Sequence, residues 1–226
     1  MYDCCYVVKD TAQNEELRYS LRTLENLPNV RNVYVYGGKP EFLKDEYHRR
    51  SFVQDGSKWQ NSSKMFWEIM NDEELSEDIY LMMDDVFLMS PSPSPSPIPF
   101  VNYSKPCMRT NRHSEYYDEK RRVYYWLLEH KKGIRDFDLH RPFLYNRMKV
   151  KRLFPLYPNQ TCFRSLYGNW YEVPTASHKD CKVFSTGKYT SPSDDFCLST
   201  TDDSFAKGQV GEFIRKCFPF PSKYEK

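Results

Sequence analysis

No stretch of this sequence approaches the roughly eighteen consecutive apolar residues that a helix needs to cross a bilayer, which excludes a transmembrane helix. The opening Met1-Tyr-Asp-Cys-Cys lacks the basic start and long apolar run of a signal peptide. The expectation is therefore a soluble, cytoplasmic protein with no membrane span, in which the sequons at Asn61, Asn102 and Asn159 carry no weight. Cysteines at metal-knuckle spacing are missing too. Seven are scattered without a C-x-x-C, and Cys4-Cys5 are adjacent in an apolar run. An odd count without a framework fits a reducing compartment and thiols used as small core residues. There is no surplus of one charge either: 33 Lys and Arg face 31 Asp and Glu, a net of +2, unlike a dedicated nucleic-acid binder. Glycine is scarce at 8 residues, no repeat is visible, and no linker clearly splits the chain.

What is present is aromatic and globular in character. The 226 residues are 39% hydrophobic and 16% aromatic, enough for one substantial core and too apolar for a disordered chain. The charge that cancels overall does not cancel locally. Residues 109–152 hold thirteen Lys and Arg against six Asp and Glu, a net of +7. Two readings stay open: a solvated helix with its flanks, or a face for an anionic acceptor or phosphate.

Tyr2–Val8 reads as a buried strand. Asn14 is a good N-cap, Glu15 and Glu16 suit the positive end of a helix dipole, and Leu17, Leu21 and Leu24 recur at helical spacing up to Pro28. Asn32–Tyr36 is a second strand closed by Gly37-Gly38, completing a βαβ unit with parallel strands. A helix from Lys58 to about Met70 leads into a third strand, Ile79–Met83, which Val86–Met89 continues briefly. The Pro/Ser run over residues 91–99 predicts an extended loop, either a passive spacer or an acceptor-contacting lid. Residues 114–132 read as a helix, the chain beyond 150 as irregular, and Val210–Cys217 as a last helix.

The strongest chemical signal is the carboxylate pair Asp84-Asp85 at the end of the third strand. Adjacent aspartates repel, so both ionise cheaply only when a cation or strong donors sit beside them. A hard divalent ion such as Mn²⁺ or Mg²⁺ takes carboxylate oxygens and bridges a diphosphate. In open α/β sheets, moreover, ligands bind beyond the carboxyl ends of the strands. Standing alone, the pair is equally consistent with a surface turn.

The pair does not stand alone. The segment Asn14-Glu-Glu-Leu-Arg-Tyr-Ser-Leu-Arg22, the Val33 strand and Asp84-Asp-Val-Phe-Leu88 together resemble the Stealth-type sugar-phosphate transferases and related phage-encoded glycosyltransferases. The likeness to the phage-encoded proteins is broader. It takes in Gly56-Ser-Lys-Trp-Gln-Asn-Ser-Ser-Lys64, Leu139-His-Arg-Pro142, Leu166-Tyr-Gly-Asn169, Ser199-Thr-Thr-Asp-Asp-Ser-Phe205 and Phe218-Pro-Phe-Pro-Ser-Lys-Tyr-Glu225. Two departures matter. Met83 replaces the family's Asn before the Asp pair, and Val8-Lys-Asp-Thr-Ala-Gln13 replaces the Stealth T-W-V-D-G-S-D segment. The second departure favours simple glycosyl transfer over sugar-phosphate transfer.

The resemblance implies an α/β fold of the GT-A type with a mainly parallel sheet, as one domain over residues 1–226. Residues 1–90 would form the nucleotide-sugar half, 91–99 the Pro/Ser loop, and 100–226 an irregular acceptor half. It implies a metal-dependent transferase using Mn²⁺ or Mg²⁺ at Asp84 and Asp85, with His140 or His178 as a further ligand and a UDP-sugar as the donor by analogy. Val8, Lys9 and Asp10 would meet the base and ribose, while Arg18 and Arg22, which share a helix face, would meet either the diphosphate or Glu15. Lys58, Asn61 and Lys64 open a helix and suit an anion or sugar hydroxyls, and the likeness adds Tyr167 and Asn169. Asp202 or Asp203, with His140, are the candidates for acid–base work, unless Asp203 merely caps a helix. The acceptor would be a DNA base, a virion protein or a glycan. Sugar-phosphate transfer and a non-catalytic nucleotide-sugar or carbohydrate-binding module remain the alternatives.

Overall fold

The computed structural model describes residues 1–91, 100–101, 114–157, 162–174, 176–177, 180–191 and 196–226. The predicted 91–99 loop lies outside the described residues from 92 onwards, as does His178.

The fold is mixed α/β around a mainly parallel sheet. β1 (Tyr2–Val8) pairs in parallel with β2 (Val30–Gly37) on one side and with β4 (Asp78–Met83) on the other. β3 (His48–Arg50) extends the β2 edge in parallel, and β7 (Phe143–Asn146) closes the β4 edge antiparallel. The order is therefore β3-β2-β1-β4-β7. Both faces are covered, and for that reason β1 is apolar throughout except for Asp3, a buried carboxylate paired with Arg31 at 2.6 Å. Cys4, Tyr6 and Val8 face the layer containing α1 (Glu15–Arg22), with Leu17 and Leu21. Cys5 faces the opposite layer, with Phe66, Ile69 and Met70 of α2 (Lys58–Asn71) and Tyr124 of α3 (Glu115–Glu129). The adjacent cysteines are thus two core residues pointing opposite ways.

Two expectations need correcting. Residues 86–89 do not prolong β4. The chain turns at Asp84-Asp85 and enters a second sheet, where β5 (Val86–Leu88) pairs antiparallel with β10 (Cys197–Thr200). β10 in turn pairs with β9 (Lys182–Val183), giving the order β5-β10-β9. β6 (Phe100–Val101) and β8 (Ala176–Ser177) form a separate two-stranded ladder. Nor is the chain beyond 150 simply irregular: α4 (Arg147–Leu153) and α5 (Phe163–Trp170) are helices of 7 and 8 residues, with α6 (Asp202–Lys207) and α7 (Gln209–Cys217) later in the chain. Helices this short are marginal on propensity alone. Leu153, Leu166 and Tyr167 hold α4 and α5 by burying against the α2–α3 layer, a tertiary effect that sequence periodicity does not show.

The local +7 surplus is also partly internal. Lys120, Arg141 and Arg147 are buried, with Lys120 paired to Asp136 at 2.8 Å and Arg147 donating to the Met70 and Leu75 carbonyls. Among the described residues, no helix is long and apolar enough to cross a membrane.

Candidate functional site

The strand order fixes where a ligand can sit. The chain lays β2 and β3 to one side of β1 and then returns to place β4 on the other, so the topology reverses between β1 and β4. Their carboxyl ends open a crevice there, the usual ligand position in such sheets. Val7 of β1 lies beside Met83 of β4, which sets the loop after Val8 next to the Asp84-Asp85 turn. Asn14 closes the gap: its side-chain oxygen caps α1 through the Leu17 N–H at 2.9 Å, and its Nδ2 donates to Asp84 Oδ2 at 2.8 Å.

Four carboxylates share this crevice. Burial, then the charge of Asp85, pushes Asp84 up to about 6, against the pull of Asn14 and Lys58. Glu16, half-buried one residue into α1, is pushed up to about 7 by burial, with Asp84, Asp85 and Asp202 raising it further. The Thr200 hydroxyl donates to Glu16 Oε1 at 2.5 Å. Asp85 is held differently: Lys182 Nζ donates to its Oδ2 at 2.5 Å, and its carbonyl accepts the Thr200 N–H at 3.1 Å. Asp85 Oδ1 is buried with no hydrogen-bond partner among the described residues. Asn14, Glu16, Lys182 and Thr200 are the site residues that sequence reasoning missed. Asn14 and Glu16 are legible as helix-start residues, but a cap says nothing about what its free amide faces. Lys182 and Thr200 sit on the second sheet, which no periodicity announces.

Of the predicted residues, Asp84, Asp85, Lys58 and Asp202 gather here, the last two through the charge they exert on Asp84 and Glu16. Val8, Lys9 and Asp10 lie at the same end of the sheet. The Val8 carbonyl is already taken by the Gly38 N–H and Gln54 Nε2, and the Asp10 N–H donates to Gln54 Oε1. Gly37 permits this closure: its φ of +101° suits glycine, and a Cβ there would lie 2.2 Å from the Val8 carbonyl oxygen.

The remaining candidates have structural partners. Arg22 donates twice to Glu225 at 2.8 Å and once to the Phe218 carbonyl, and Arg18 lies 3.7 Å from Glu225 over the Phe42 ring, so both face the C-terminal tail rather than a diphosphate or Glu15. Asn61 bonds the Gly56 backbone on both sides, and Lys64 pairs with Asp55. Tyr167 is buried with its hydroxyl accepting the Asn146 N–H, and Asn169 is sealed in by the Arg135 N–H and by the Arg135 and Ser165 carbonyls. Asp203 is exposed and paired with Lys207. His140 Nδ1 meets Asp180 Oδ2 at 2.8 Å, and against the cost of burial these hydrogen bonds hold Asp180 below the usual carboxylate range. Asp180 sits two residues before Lys182, so His140 is held beside β9, its ring paired with Asp180 rather than with Asp84 or Asp85.

Asn169→Ala checks the reassignment of its residue. Removing three buried hydrogen bonds should cost about 2–3 kcal/mol in denaturant unfolding, with no separate effect on any nucleotide that the folded protein binds. A large loss of affinity at unchanged stability would return Asn169 to the ligand site.

Among the described residues, no group of three or more His, Cys, Asp or Glu is placed to hold a metal ion by itself. The donor set nonetheless fits a hard divalent cation of the kind bound by one or two carboxylates together with substrate phosphates. Asp85 Oδ1 offers an unpaired oxygen and Asp84 a carboxylate that gains from a nearby positive charge. No protein-family model matches the chain, and no curated protein matches it.

Proposed function

We propose that the chain is a GT-A-type glycosyltransferase that moves a sugar from a nucleoside-diphosphate donor, most simply a UDP-sugar, to an acceptor hydroxyl. The observation that supports this reading is the gathering of Asp84, Asp85 and Glu16 at the carboxyl ends of β1 and β4, where the strand order reverses. Asp84 and Asp85 would hold Mn²⁺ or Mg²⁺, which when bound neutralises charge on the departing diphosphate.

The chain's own groups then divide the remaining work. The exposed loop residues Lys9 and Asp10 flank the nucleotide. Lys58, at the capped N-terminal end of α2 with its charge acting on Asp84, would meet the phosphates. Lys182 holds Asp85 in place and supplies positive charge beside it. Asp202 is exposed at the start of α6, open to an incoming acceptor, and takes the acceptor proton, whereas Asp203 is occupied by Lys207. Glu16, fixed by Thr200, orients the cluster from α1.

A thermal-shift matrix of UDP-, GDP-, ADP- and TDP-sugars with and without Mn²⁺ tests the reading. One nucleotide should raise Tm together with metal far more than the sum of the separate shifts, because each completes the other's coordination. Additive or absent shifts for every pairing would reject it.

A further inference from the structure

We propose that Cys181 and Cys197 form a thiol-modification site, which a small-molecule disulfide oxidises to a cross-link pinning β9 to β10. Their sulfurs lie 3.7 Å apart, both are buried, and neither is disulfide-bonded. The backbones that carry them are already fixed against each other: Lys182 pairs with Ser199, and the Ser199 N–H donates to the Cys181 carbonyl at 3.1 Å. A disulfide needs sulfurs about 2 Å apart, so closure is a movement of under about 2 Å between neighbouring strands.

The other described cysteines do not compete on these terms. Cys4 and Cys5 point to opposite faces of β1, and burial pushes both thiols well up, which leaves them poor nucleophiles. Cys162 is buried in the α2–α3 layer, where its thiol donates to the Tyr116 carbonyl. Cys217 is exposed on α7 with no cysteine beside it among the described residues.

Cys181, 7% exposed against 1% for Cys197, meets the reagent first. Its thiolate attacks one sulfur of the small disulfide and expels the other half as a thiolate, leaving a mixed disulfide on Cys181. The Cys197 thiolate then attacks Cys181 Sγ and expels the second half. Two protein S–H bonds and one S–S bond of the reagent are lost; one protein disulfide and two small thiols appear, and their protons come from the two cysteines. The Cys181 hydrogen bond to the His140 carbonyl, 2.9 Å long, ends with the loss of its proton. Cys181 lies between Asp180, which holds His140, and Lys182, which holds Asp85, so the cross-link acts on the strand that positions both.

The test uses the full chain with Cys107 and Cys217 changed to Ser, treated while folded with oxidised glutathione. The expected product has lost two hydrogens and carries no adduct. A non-reducing peptide map should join the Cys181 and Cys197 peptides, and Tm should rise by roughly 5–10 °C, reversibly with dithiothreitol. Adding Cys197→Ser should stop the reaction at one glutathione on Cys181, while Cys181→Ser should remain unmodified. The proposal falls if the folded chain stays reduced under conditions that oxidise it in denaturant, or if the map joins Cys4 or Cys5 instead. Neither outcome depends on whether the chain transfers sugars.

Discussion

Asp84→Asn should lower kcat/KM by roughly 100-fold or more and, at the same time, make the metal-free protein more stable at neutral pH. The two effects separate the site's function from its cost. Asp84 is raised to about 6 by burial and by Asp85, so its folded-state pKa lies above that of the unfolded chain. Below about pH 4 the group is protonated in both states and contributes no difference. Between about pH 4 and 6 the folded protein binds more protons than the unfolded chain, and stability falls as pH rises. Above about 6 the full penalty of holding the charge remains. Asparagine lacks that charge and keeps an oxygen for Asn14 Nδ2. The gain over wild type should therefore be near zero at pH 4, grow to about 1–2 kcal/mol by pH 7 once partial exposure is discounted, and vanish when saturating Mn²⁺ and nucleotide stabilise the wild type alone. Urea unfolding of both proteins at several pH values measures it. A variant less stable than wild type at pH 8 without metal would show that Asp84 is a structural anchor and not a strained ligand position.

Arg22→Ala should be the most destabilising of the substitutions at predicted site residues, at about 3–5 kcal/mol, because it strips the buried Glu225 of its two short ion-pair hydrogen bonds and leaves it only the more distant Arg18 and the Ser222 donors. Glu225 is 7% exposed at its side chain and Arg22 is 9% exposed. Against the cost of burial, the Arg22 hydrogen bonds hold Glu225 below its ordinary carboxylate range. A depressed carboxylate contributes stability above the unfolded-state value, and that contribution is lost as pH falls through the folded-state value. Arg22→Ala should accordingly flatten the acid limb of the stability curve. Arg22→Leu with Glu225→Leu should lose much less than the two single changes added together, since no unpaired charge is left. If Arg22 bound the donor diphosphate instead, the single change would weaken nucleotide binding at nearly unchanged Tm.

The sequence is legible wherever a residue's own chain neighbours decide its state. Tyr2–Val8, the Asn14 cap with Leu17 and Leu21, and the helix from Lys58 can all be placed within a residue or two, because periodicity and capping are local. The Asp84-Asp85 turn falls at a strand end for the same reason. The strand beyond that turn is a different case. Val86–Leu88 is apolar whatever sheet it joins, and its partner lies more than a hundred residues away in β10. Arg18 and Arg22 illustrate the same limit in the site: their shared face is readable, but Glu225 as the occupant of that face is not. Tyr167 and Asn169 stand out by motif, and the packing shows them serving α5 and its neighbours.

The turn carrying Asp84 and Asp85 is also the elbow through which the chain leaves one sheet for the other. A ligand that draws the two carboxylates together therefore braces that elbow, with Lys182 and Thr200 gripping its far arm. Amide exchange should slow through β5 and β10 as far as the paired Leu88 and Cys197, at the ends of those strands remote from the carboxylates, on addition of metal and nucleotide together. The carboxyl pair would then be a mechanical fastening as much as a chemical one.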